Sequence, residues 1–280
     1  MSMMNLDDFT ILADGLDHPE GVAWGPDGNV YAGGEAGQIY RITMDGEITE
    51  IASTGGFILG LALDSDRNIY ACDSGAGAIM KITQAGEVSK YSDNADPIPA
   101  PNYPVFVADG NLYFSSSGEW KGNSGKIYCA APGGATRVVS EKFTNFPNGM
   151  ALGPDGKYLY IVLSLKPGVE RALILEDGSL GDPEDVVTIE RTVPDGVAFD
   201  ADGNLYASCY SPSQIYRVTP NGQVDLLAED WQNVVLAAAT NIAFSGPYLK
   251  TLVVGSLGRW HLAQAQMDVA GHPLKYPKVS

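Results

Sequence analysis

Short apolar runs alternate with polar turns along almost the whole chain, and the commonest turn is an Asp-Gly or related pair. Two apolar runs flanking such a pair are the strongest local signal for a β-hairpin. No stretch keeps a helical apolar period for long, so strands are expected and helices are not. The pattern also repeats. Residues 21–31 (GVAWGPDGNVY) recur as 60–70 (GLALDSDRNIY) and 196–206 (GVAFDADGNLY), with looser copies at 103–113 (YPVFVADGNLY) and 149–160 (GMALGPDGKYLY) and a worn one from Asn241 to Phe244.

After each hairpin a third strand is expected, as at residues 38–42 and 214–218, then a second turn such as Asp45-Gly46 or Asn221-Gly222, then a fourth strand. Four-stranded antiparallel units repeated every ~40 to 50 residues are the signature of a β-propeller. The chain is therefore expected to be all-β, a six-bladed β-propeller occupying residues 1–280 as one domain. The sixth unit offers only three strands, near 242–244, 251–254 and 261–266, while residues 9–13 (FTILA) resemble the fourth strands elsewhere. The N-terminal strand is expected to complete the last blade, which removes the open edge of a linear array.

Composition fits this picture and narrows the partners. The 33 glycines supply paired turns, and 17 basic against 34 acidic side chains give a net charge of −17. Such a surface repels phosphate backbones and anionic lipid, so neither nucleic acid nor membrane is an expected partner. The longest apolar run, 234–239, is far short of the ~20 residues that span a bilayer. Residues 1–9 carry no basic stretch leading into an apolar one, so no secretory signal is expected. Cys72, Cys129 and Cys209, at irregular spacings, read as free buried thiols in a cytoplasmic protein.

In a propeller the innermost strand of every blade starts at the same end of the central channel. The residue before each repeat's first glycine position therefore falls in one ring: Glu20, Leu59, Asn102, Asn148, Asp195 and Thr240. Asn and Asp before glycine also serve as turn residues, and it is the equivalence of the positions that marks these as a set. Two carboxylates and two amides converging on an axis repel or stay unsatisfied unless a divalent cation joins them. All-oxygen ligation favours a hard ion, Ca²⁺ first, with Mg²⁺, Mn²⁺ or Fe²⁺ as alternatives. The absence of His from the ring weakens Zn²⁺.

Three phrases carry a family resemblance: HPEGVAW (18–24), FPNGMAL (146–152) and VPDGVAF (193–199). They resemble the gluconolactonase, senescence marker protein and luciferin-regenerating enzyme family of six-bladed propellers, over nearly the whole chain. The resemblance implies one catalytic divalent cation held by Glu20, Asn148 and Asp195, with Asn102 as a further ligand or substrate contact, and hydrolysis of small lactones. Asp195 would also act as general base. Sugar-lactonase members usually carry Arg-Pro-Asn-Asp in the third blade, where Arg and Asp handle substrate hydroxyls. Here the phrase is Ala100-Pro101-Asn102-Tyr103, which points away from gluconolactone itself and towards a less hydroxylated or aromatic lactone facing Tyr103. Two alternatives keep the same cation: hydrolysis of a phosphotriester, or a binding propeller whose metal is only structural.

Loops between second and third strands should open on the ring side. The longest, 115–125, brings Glu119 to accept substrate hydroxyls and Trp120 to stack on a ring. Asp73 in the corresponding loop of the second blade is a candidate supporting carboxylate, and His18 a candidate proton shuttle or loop tether. The Gly75-x-Gly77 pair has no following helix and offers no nucleotide site.

Overall fold

A computed structural model describes residues 3–279; positions 1, 2 and 280 lie outside the described residues. Six four-stranded antiparallel sheets form a closed ring, each running outward from one inner strand. The inner strands of blades 1 to 6 are Val22–Trp24, Ile58–Leu63, Pro101–Phe106, Pro147–Leu152, Val193–Phe199 and Ala239–Ser245. Among the described residues the only helix is the 3-10 turn Leu6–Asp8, and no helix is long and apolar enough to cross a membrane. Phe9–Asp14 pairs with His261–Gln266 in register Phe9↔Ala265 to Asp14↔His261, so the N-terminal strand completes blade 6 as the repeat count requires.

The core is divided into six apolar clusters, one between each pair of neighbouring blades. No blade buries both of its faces alone, so the ring gains stability only when it closes. The most regular part of the repeat serves this packing. In the hairpin turns Asp64 accepts from Asn68 Nδ2 at 2.8 Å and the Tyr70 hydroxyl at 3.0 Å, and Asp200 accepts from Asn204 at 2.7 Å and Tyr206 at 3.1 Å. The same tyrosines meet inner-strand phenylalanines of the next blade edge-on, Tyr70 with Phe106 at 5.0 Å and Tyr206 with Phe244 at 5.3 Å. Each such pair adds about 0.5–1.5 kcal/mol beyond its buried area.

The repeated glycine has a different cause. A Cβ at Gly149 would lie 2.4 Å from the carbonyl oxygen of Asp195, and one at Gly60 would lie 2.5 Å from that of Asn102. Inner strands of neighbouring blades thus approach backbone to backbone, which draws the preceding residues into a tight ring. The three cysteines are free and buried, and burial holds the Cys129 thiol up at about 11 and the Cys209 thiol at about 12.

Candidate metal centre

Glu20, Asn102, Asn148 and Asp195 stand at the starts of four inner strands, all nearly or fully buried, with Leu59 and Thr240 completing the ring. The two amides are turned by the same relay. Asn102 Nδ2 donates to Ser117 Oγ at 3.0 Å, and Ser117 donates to the Pro147 carbonyl at 2.8 Å. One blade on, Asn148 Nδ2 donates to Ser164 Oγ at 3.2 Å, and Ser164 donates to the Pro194 carbonyl at 2.7 Å. With the nitrogens committed, both amide oxygens face the other way.

Among the described residues, Asn102 Oδ1, Asn148 Oδ1 and Asp195 Oδ1 are buried without a hydrogen-bond partner. Buried polar atoms are nearly always paired, so three orphaned oxygens in one ring have the chemistry of a donor set for a hard cation. Burial raises the Glu20 carboxyl well above the ordinary range, with the Asp195 and then the Glu35 charge adding to the effect. Burial likewise pushes Asp195 up to about 7, and Asn148 beside it pulls the other way. Two buried acids that resist ionising together, with amide oxygens around them, fit a hard divalent ion that inverts this cost.

Sequence reasoning passed over Asn241, which is fully buried, donates to the Glu20 carbonyl at 3.2 Å and has an orphaned Oδ1. Thr240 Oγ1 donates to the same carbonyl at 2.8 Å, so blade 6 fixes the backbone of Glu20. Asn241 takes the first-glycine position of the worn repeat, and that departure from glycine was its signal.

The mouth above the ring carries strain. His18, Ala100, Phe146 and Ala238, each two residues before a ring position, have φ of 43°, 45°, 58° and 61°. Such a conformation costs a non-glycine residue about 1–3 kcal/mol and clusters at functional sites. His18 lies 5.7 Å from the ring of Trp260, and Phe146 lies 4.8 Å from that of Trp120. Blades 1 and 4 are opposite in the ring, so the two aromatic pairs form facing sides of the mouth.

His18 Nδ1 also lies 3.1 Å from both Asp17 and Glu35, a cluster that tethers the loop and that spacing alone did not reveal. Trp120 is 54% exposed. Glu119 is exposed, and its backbone N–H donates to Ser124. Asp73 ends a strand rather than lying in a loop; it is fully buried, accepting from the Ala76 N–H at 2.8 Å through one oxygen while the other has no partner. Burial first, then Cys72 and Asp195, raises the Tyr103 hydroxyl to about 12.

A family model described as SMP-30/Gluconolactonase/LRE-like region matches residues 20–258. A gluconolactonase of Zymomonas mobilis is 27% identical over 188 residues, 59% of this chain and 52% of its own, so the chain spans about half the length of that curated relative. The solved structure of a Xanthomonas campestris gluconolactonase matches at TM-score 0.79 and 19% identity, over 92% of this chain and 89% of that one. A structure of a calcium-binding protein, regucalcin, from Agrobacterium tumefaciens matches at TM-score 0.77 and 18% identity, over 98% and 96%. At these identities the structural likeness is one of fold.

Proposed function

The chain belongs to the SMP-30/gluconolactonase/LRE-like family, and on that premise we propose that it is a divalent-cation-dependent hydrolase of small lactones. The cation would be held by Glu20, Asn148 and Asp195, with Asn102 as the fourth protein group. The observation that carries the reading is the set of orphaned buried oxygens on Asn102, Asn148 and Asp195 beside a second buried acid, Glu20. Ca²⁺ is the preferred ion, supported by the all-oxygen donor set and by the calcium-binding protein among the fold relatives.

When bound, such an ion supplies Lewis-acid polarisation of a carbonyl oxygen. The chain's own residues do the rest. Asp195 takes a proton from the attacking water. The water oxygen bonds to the carbonyl carbon, the ring C–O bond breaks, and the proton ends on the released alkoxide. The serine relays keep the amide oxygens of Asn102 and Asn148 turned to the ring while this happens.

The substrate would be poor in hydroxyls. Ala100 and Tyr103 stand where a polyol site needs charged hydrogen-bonding groups, and the facing pairs His18–Trp260 and Phe146–Trp120 suit a flat or apolar substituent. A pH-stat panel of sugar, aliphatic and aromatic lactones, beside a phosphotriester, tests the reading with the calcium-loaded and chelated chain. Lactone opening that chelator removes and calcium restores supports it. Lactone turnover by the fully chelated chain, or phosphotriester turnover alone, overturns it.

A further inference from the structure

A second cavity of the chain is not at the polar ring. It lies further down the channel, has a volume of about 190 Å³, and is lined mainly by apolar side chains. Its origin is legible in the repeat. The third residue after each ring position is Ala23, Ala62, Val105, Ala151, Ala198 or Ala243, and all six line the cavity. Five alanines where larger side chains would meet at the axis leave the space open.

Tyr103 and the C-terminal tail bound the cavity at its two ends. At the upper end Tyr103 lines the cavity, and its hydroxyl feels the Asp195 charge, so its side chain stands between the two compartments. At the lower end residues 272–276 of the C-terminal tail form the floor. The His272 N–H donates to the Phe199 carbonyl at 2.8 Å, the Tyr276 hydroxyl to the Trp24 carbonyl at 2.6 Å, and the Ser65 N–H to the Pro277 carbonyl at 2.9 Å. The tail therefore crosses from blade 5 to blades 1 and 2, and Val279 is anchored in the cluster holding Tyr70 and Phe106. A segment of chain outside the blades is committed to flooring an apolar space.

Between the polar groups of Tyr103 and of the tail, water is a poor occupant, because it needs two to four polar partners that the ring of alanines does not offer. A dry void forfeits dispersion contacts around its whole lining. An engineered apolar cavity of about 150 Å³ takes up benzene or xenon, and this one is larger. We propose that the lower channel is a second binding site, for an uncharged apolar molecule of benzene to indole size, separate from the polar ring. The site depends on neither the cation nor the lactone reading.

The test is a ¹⁹F NMR titration of the intact calcium-loaded chain with fluorobenzene, repeated with Ala151→Leu, Ala198→Leu and Trp120→Ala. Saturable binding is expected, weakened at least tenfold by either leucine variant that folds and unchanged by Trp120→Ala at the mouth. Xenon-pressurised crystals should show density between Ala198 and Leu274, a readout independent of any variant. No saturable binding and no xenon would overturn the proposal. So would loss of binding in Trp120→Ala, which would put the probe at the mouth instead.

Discussion

Asn148 donates its side-chain nitrogen to the Ser164 hydroxyl at 3.2 Å, and that bond decides which end of the amide faces Asp195. Ser164 is in turn fixed by the Pro194 carbonyl, one residue before Asp195. The orientation of one ring residue is thus set by the backbone that carries the next. Removing the relay should free the amide to flip, and groups that orient ligands are typically worth 10- to 100-fold in metal affinity. Ser164→Ala should weaken calcium binding by that factor while the fold persists, which calorimetric titration and circular dichroism would check together. An affinity equal to wild type would mean that the amide is held by something else.

The spacing between blades makes a second prediction. A Cβ at Gly149 would sit 2.4 Å from the Asp195 carbonyl and 2.7 Å from Gly196 Cα, both backbone atoms that cannot swing aside. Gly149→Ala must push blades 4 and 5 apart at the ring. It should cost about 1–3 kcal/mol, as overpacking does, and should lower calcium affinity more than any surface Gly→Ala. Thermal melting with and without calcium would measure both effects.

Much of this was legible in the sequence, for a physical reason. The repeat records groups that must recur because each blade meets the next in the same way: Asp64, Asn68 and Tyr70 in the turns, and Gly60 at the close approach. Register within that repeat then singled out Glu20, Asn102, Asn148 and Asp195. What stayed hidden depends on one blade reaching into another out of register. Asn241 touches Glu20 from the far end of the chain, Trp260 reaches His18 across the blade 6–1 boundary, and the tail beyond Met267 follows no repeat at all. Asp73 has the reverse history, since its spacing suggested a loop group and the fold buries it in a strand.

The two buried acids make the metal-free protein sensitive to pH. Burial raises Asp195 from 3.8 to about 7, and Glu20 is raised as well. Between those values the folded chain keeps a proton that the unfolded chain has released. The Asp195 share of that stability is fully present below pH ~4 and is lost as pH rises through about 7, with Glu20 acting in the same sense; its size is on the order of a few kcal/mol. Carboxylates held low, such as Asp182 beside Lys142, act in the opposite sense but only at more acid pH. In chelator the melting temperature should therefore fall from pH 5 to 8, and Asp195→Asn should flatten the slope. Calcium should reverse it, because the ion requires the ionised acids.

At the mouth, Trp120 and Trp260 are 54% and 53% exposed, yet each packs on a strained residue two positions before a ring residue. Exposed aromatics held in this way suit a substrate face better than a core. Trp120→Ala should raise KM for aromatic lactones roughly 2- to 13-fold, the loss of one aromatic contact of about 0.5–1.5 kcal/mol, and leave kcat unchanged. For a small aliphatic lactone both constants should stay put. An equal rise in KM for both substrates would assign Trp120 to loop structure instead.

Ring closure rests on the strand Phe9–Asp14, where Phe9, Leu12 and Ala13 are buried while Ile11 faces solvent. Deleting it leaves His261–Gln266 as an open edge, its backbone groups unpaired and the apolar cluster between blades 6 and 1 uncovered. Burial of Phe9 and Leu12 alone contributes about 1.5–3 kcal/mol each, so the truncated chain should melt well below the full one. An unpaired edge is also a template for another chain, so light scattering should show larger species than the full chain forms. A peptide spanning residues 7–15, added in excess, can pair with that edge by strand addition. It should restore both the oligomeric state of the full chain and its melting temperature, and a peptide with Leu12→Asp should not. The contrast separates loss of a closing strand from general damage to the fold, because only the first is repaired by returning the strand without its covalent link.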